Sequence, residues 1–218
     1  MRLLKFAILL CLSMMFATSY AQMAVKETDK RKVAIDVFDD KDFELAVGYN
    51  DYVVSQPGKD TGWASYSFCA RGKIKELDCS LPLSLEAGLL MSYFNGDYND
   101  EDNNNRFGEY SMRMFSLGVP LNLVYEFPVS SDVSVAPYAG LSARLNVWAE
   151  MELKDGEKVD LFSNKYGANF ETLQFGGQIG VSVAIERIVI RAEIHTDFSN
   201  LTEQTKLWGV GTSIGYRF

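Results

Sequence analysis

Apolar and polar positions alternate along most of this chain. In LWGVGTSIGYRF (207–218), Trp208, Val210, Thr212, Ile214, Tyr216 and Phe218 fall on one face, and Leu207, Gly209, Gly211, Ser213, Gly215 and Arg217 on the other. Successive side chains of a strand point to opposite faces, so this is one strand between two different environments. The same division recurs in ELAVGYNDY, LPLSLEAGLLMSY, FSLGVPLNLVYEF, VSVAPYAGLSARLNVW, LQFGGQIGVSVAI and RIVIRAEIHTDF. GWASYSFCARG supplies an eighth strand, but small and aromatic residues occur at both parities and leave its facing open. No long stretch carries the i, i+3, i+4, i+7 pattern of an amphipathic helix.

Alternation suits a soluble barrel as well as a membrane one; strand length and connections separate them. The apolar stripes reach the roughly 9–11 residues that a tilted membrane strand needs. PVSSD (128–132) and the residues around Glu186 read as tight turns, whereas NGDYNDEDNNNRFG and EMELKDGEKVDLFSNKYGAN read as long polar loops. Short turns on one rim and long loops on the other characterise outer-membrane barrels. Tyr49, Tyr93, Trp148, Phe198 and Trp208 lie near the loops, and Phe127, Tyr216 and Phe218 near the turns, as two interfacial girdles would. The expected fold is all-β: an eight-stranded antiparallel up-and-down transmembrane β-barrel over 43–218.

The first residues bear on destination. MRLLKFAILLCLSMMFATSYAQ has the basic start, short apolar run and small residues before Gln22 of a secretory signal peptide, predicted over 1–21. A charged periplasmic segment is expected over 22–42. Cleavage removes Arg2 and Lys5, two positive charges, which takes the formal charge from −8 to −10. So acidic a chain is not expected to bind nucleic acid, because phosphate binding relies on lysine and arginine. Cys11 would leave with the peptide, and Cys69 and Cys79, in an oxidising compartment, form a candidate disulfide. With Cys69 inward, Cys79 shares the outward phase of Leu81, so the pair requires a bulge or the other parity for the ambiguous strand.

A signal peptide, eight alternating strands and the closing aromatic strand make the chain similar to the small outer-membrane barrels of the OmpA/OmpX type. SLGVPLNLVYEFPVSSDVSVAPYAGLSARLNV especially resembles the porin-family "outer membrane protein beta-barrel domain" of Gram-negative bacteria. The resemblance implies an outer-membrane location, lipid as the surrounding partner, and recognition of Tyr216 and Phe218 by the barrel-assembly machinery. It implies no particular activity.

The enclosed face carries Glu44, Glu86, Glu126, Arg144, Glu186, Arg191, Glu193 and Arg217. Eight strands leave room for side chains and little else, so these residues are expected to fill the bore as ion pairs rather than line a pore. His195 is the only histidine. With Glu193 or Asp197 and Ser199 it supplies the residue types of a hydrolase, but these positions lie two apart on one strand, and no catalytic site is expected. Asp97, Asp100, Glu101 and Asp102 could offer oxygen ligands to calcium, but the spacing is not that of an EF-hand, and a solvated loop is expected instead. The chain is thus read as a monomer without cofactor or metal, structural or interacting through its loops. A narrow porin and a lipid-modifying barrel enzyme are the alternatives.

Overall fold

A computed structural model describes residues 38–56, 59–74, 83–98, 110–163, 169–202 and 205–218. The chain divides into Met1–Val37 and Phe38–Phe218. The first unit lies outside the described residues, and with it the expected signal peptide and most of the segment 22–42.

Eight long strands build the wall: β1 (Phe38–Gln56), β2 (Lys59–Ile74), β3 (Leu83–Tyr98), β4 (Tyr110–Tyr125), β6 (Val133–Leu153), β8 (Leu173–Ile185), β9 (Ile188–Asp197) and β10 (Lys206–Arg217). Two short strands decorate it. β5 (Phe127–Pro128) continues β4 along β6, and β7 (Lys158–Asp160) folds back on the end of β6. Every long strand pairs antiparallel with its neighbour in sequence, and β1 pairs with β10, so the sheet closes without an edge. Closure satisfies the backbone groups that lipid cannot. At the seam Glu44 pairs with Arg217, and Phe218 N–H donates to the Phe43 carbonyl at 2.9 Å. β1 starts at Phe38, before the boundary at 43 that the alternation suggests, across a register irregularity between Phe38 and Phe43.

The barrel is turned inside out relative to a soluble protein. Val47, Leu121, Ile179, Ile190 and Ile214 lie exposed on the outer wall, while Glu44, Arg71, Glu86, Asn122, Arg144 and Arg191 are buried within. Pairing aligns part of the loop-side girdle directly: Tyr49 opposes Tyr66, Tyr66 opposes Tyr93, Tyr93 opposes Phe115, and Phe115 opposes Trp148. At the other rim Phe43, Tyr216 and Phe218 cluster, with ring centroids 6.1 and 5.2 Å apart.

Two local features set which residues face inward. Val147 is an extra residue in β6, since Asn146 opposes Ser116 while Trp148 opposes Phe115. This bulge resets the parity, so that Trp148 stays outward and Ala149 and Met151 turn inward. In the two-residue β8–β9 turn, Glu186 adopts φ +52°, and its N–H donates to the Asp132 carbonyl at 2.7 Å.

Candidate functional site

The centre of the bore is an ion-pair network whose charged members come from four strands, with amides from two more. Arg191 on β9 reaches across and forks two carboxylates at once. It donates to Glu44 through Nε (3.1 Å) and Nη2 (2.7 Å), and to Glu86 through Nη1 (3.2 Å) and Nη2 (2.7 Å). Arg71 on β2 adds a bond to Glu44 at 3.1 Å. Asn122 donates to Glu86 at 2.9 Å and accepts from Gln178 at 2.6 Å. The Arg191 side chain is 3 % exposed. Charges this buried persist only when paired and hydrogen-bonded, and the planar guanidinium suits two bidentate pairs. Tyr138 packs its ring against Arg191 and donates to Glu193 at 2.8 Å. Gly180 opposite makes room for it, since a Cβ there would come within 2.6 Å of the tyrosine.

The network extends toward both rims. On the turn side Glu126 pairs with Lys73, accepts from Ser134 at 2.6 Å and meets Arg217 at 3.5 Å. On the loop side Arg144 pairs with Asp197 and donates to Gln174 at 2.7 Å, while Asn146 donates to the same Gln174 oxygen at 2.9 Å. Five cations (Arg71, Lys73, Arg144, Arg191, Arg217) thus face five carboxylates (Glu44, Glu86, Glu126, Glu193, Asp197), and formal charge cancels along the described lumen. A selectivity lining gathers one sign of charge into rings; this interior does the opposite.

Above Arg144 the interior changes character. Tyr52, Val54, Trp63, Phe94, Met114, Met151, Val159, Leu161, Phe170, Leu201 and Leu207 form one buried apolar cluster across the loop end. Backbone bonds knit this cap together: Leu161 N–H to Ala149 O, Phe170 N–H to Leu161 O, and Glu171 N–H to Leu201 O. The expectation of a bore filled only by polar residues is therefore corrected. Residues 150–163, part of the stretch read as a polar loop, extend β6 into a hairpin whose Met151, Val159 and Leu161 turn inward. Outside, Lys158 donates to Glu150 at 2.9 Å, a bond that raises the lysine above its ordinary value, and Arg113 pairs with Glu152 at 3.2 Å. Between network and cap remains a cavity of about 40 Å³, bounded by Asn50, Ser67, Arg71, Arg144 and His195. That is room for a few waters rather than a solute path.

Of the eight charges expected inside, Glu44, Glu86, Glu126, Arg144, Arg191, Glu193 and Arg217 lie on the inward face. Glu186 does not: it sits exposed in the β8–β9 turn, because the strand ends at Ile185 and alternation stops counting there. Arg71 and Lys73 join them from β2, whose sequence leaves its facing open and whose odd positions face in. Asp197 proves to be the partner of Arg144.

The hydrolase residues do not assemble. His195 points into the bore against Tyr52, ring centroids 4.3 Å apart, and its Nε2 has no hydrogen-bond partner. The Ser199 hydroxyl is bonded to the Phe175 backbone instead. Cys69 is a buried free thiol; Cys79 lies outside the described residues. Asp97 is exposed on β3, the remaining acids of the proposed calcium loop fall outside the described residues, and no group of metal-ligating side chains occurs among the described ones.

A closed eight-stranded barrel with an apolar outer wall, aromatic girdles and a polar interior defines a small integral outer-membrane protein. Residues 40–203 match the family described as "Outer membrane protein beta-barrel domain", and the chain belongs to it. Its place is the outer membrane. Neisserial surface protein A shares the fold with 14% identity and a TM-score of 0.55, covering 81% of this chain and 97% of that one. Ail of Yersinia pestis, solved with the heparin analogue sucrose octasulfate, aligns with 13% identity and a TM-score of 0.49 over 81% of this chain and 98% of that one. The outer membrane enzyme PagL aligns with 11% identity and a TM-score of 0.43 over 78% and 99%. No curated protein matches the sequence.

Proposed function

We infer that this barrel works through its surfaces and not through its bore: a structural and interaction protein of the outer membrane, presenting its loop end to the outside. The observation that carries this reading is the double seal. A charge-compensated network spans the middle, and an apolar cap closes the loop end. Opening a path would require breaking buried ion pairs and exposing the cap to water, both costly. The folded β6–β7 hairpin, with its outer ladder of Arg113, Glu152, Lys158 and Glu150, offers a defined contact surface beyond the Trp148 girdle. The outward pair Tyr216 and Phe218 on the closing strand fits a role in recognition by the assembly machinery. Of the alternatives, a porin needs an open bore, and a lipid-modifying enzyme needs a nucleophile within reach of lipid, whereas His195 faces inward.

The test is single-channel recording of the refolded, heat-modifiable protein in a planar bilayer. The expected trace is silent. Discrete, reproducible steps would overturn the reading and make Arg144 and Arg191 candidates for selectivity.

A further inference from the structure

The outer wall carries a groove of about 680 Å³ that runs obliquely across β1, β10, β9, β8 and β6. Pairing defines its two sides. Ile179, Ile194 and Val210 oppose one another in register along one side, and Val181, Ala192 and Thr212 along the other. The floor between them is backbone, at Gly180, Glu193 and Gly211. The small side chains of Ala192 and Thr212 keep one wall low. Four interstrand steps give a length of about 19 Å.

The two ends differ. At one, Asp51 and Tyr49 lie on the outside of β1, and the Tyr49 hydroxyl donates to the Asp51 carboxylate at 2.7 Å. Asp51 precedes by two residues Val53, which pairs with Trp208 of the loop-side girdle, so the carboxylate lies at interfacial depth. At the other end Pro137 is four residues from the start of β6 at the turn rim. The groove therefore descends from the outer interface into the hydrocarbon layer, the course of an acyl chain hanging from its headgroup. No lysine or arginine of the described residues pairs with Asp51. At this depth the carboxylate holds a neutral donor, Tyr49, and its negative charge is complementary to a cationic headgroup.

We propose that this groove is a binding site for one phospholipid with a primary-ammonium headgroup, its acyl chain lying between the two apolar walls and its ammonium donating to Asp51 beside Tyr49. The groove faces hydrocarbon, which selects the chain; the anionic end selects a cationic donor over an anionic or hydroxylated headgroup. The site is independent of the bore and of the loop end.

The experiment is native mass spectrometry of the folded barrel, released from detergent containing equal amounts of phosphatidylethanolamine and phosphatidylglycerol with matched chains. Wild type should retain one lipid, with phosphatidylethanolamine preferred. Asp51→Asn, which keeps shape and removes charge, should retain a lipid without that preference. Ala192→Trp, filling the groove, should lose the retained lipid of either kind, and Leu121→Trp on the far wall should behave as wild type. Heat-shifted gel mobility checks each fold, and Thr212→Trp replaces Ala192→Trp if that variant fails it. No retained lipid on wild type, equal retention in the groove-filled variant, or an undiminished preference in Asp51→Asn would each overturn the proposal.

Discussion

At the scale of single residues, burial decides what an ion pair contributes. Arg191 bridges Glu44 and Glu86 with its side chain 3 % exposed. Arg191→Ala leaves two carboxylates facing each other in a dry interior and should lower unfolding free energy by about 3–5 kcal/mol. Arg113 forms a single pair with Glu152 at the exposed rim. Arg113→Ala should cost only about 0.2–1 kcal/mol. Urea titrations followed by gel mobility separate the two; equal losses would mean that the central network contributes no more than a surface pair. Glu186 is a backbone case. An L-residue held at positive φ costs roughly 1–2 kcal/mol, and glycine regains part of that at an entropic cost of its own. Glu186→Gly should therefore stabilise the barrel by about 0.5–1 kcal/mol, and Glu186→Val should destabilise it by about 1–2 kcal/mol. The same titration checks both.

Elements are governed by parity. A strand has period two, so a one-residue slip sends every later side chain to the opposite solvent. Val147 is the exception built into the wall, since its bulge absorbs one residue between Asn146 and Trp148. Deleting Val147 keeps Asn146 inward, Trp148 outward and Ala149 inward, and should leave a heat-modifiable barrel. Deleting Leu141 from the regular part of β6 instead shifts Arg144 and Asn146 toward lipid relative to the preceding residues, and should abolish the folded gel band. Matching behaviour of the two deletions would show that the bulge does not set the register. β2 teaches the converse. Its sequence, with Tyr66 and Phe68 at even positions and Trp63 and Cys69 at odd ones, does not declare a face, and only pairing with β1 and β3 turns Arg71 and Lys73 inward.

For the whole molecule the loop-end cap is the feature to test. Trp63, Phe94, Leu161, Phe170 and Leu207 come from five separate stretches and meet only once the barrel has closed. Phe94, 1 % exposed, lies at the heart of the cluster. Phe94→Ala should cost about 3–5 kcal/mol, the range for aromatic truncation in a packed core. It should leave the bilayer trace silent, because the ion pairs below the cap still close the bore. Conductance from this variant alone would make the cap the only seal.

The sequence by itself determined the architecture. Eight alternating stretches, with tight turns against longer connections, require two faces in two solvents, and a strand sheet in lipid has to close. It also determined most of the interior charges, because parity places Glu44, Glu86, Arg144 and Arg191 inside without any knowledge of partners. Tertiary structure decided the rest. Which carboxylate meets which guanidinium depends on distance across the bore, and Arg191 finds Glu44 from 147 residues away. The cap was illegible for the same reason. MELKDGEKVDLF scatters its apolar residues among charges, and Met151, Val159 and Leu161 share a core only because a bulge and a hairpin bring them over the barrel mouth. Alternation is a local property that any strand can announce; complementarity across a closed barrel belongs to residues that are neighbours only after folding.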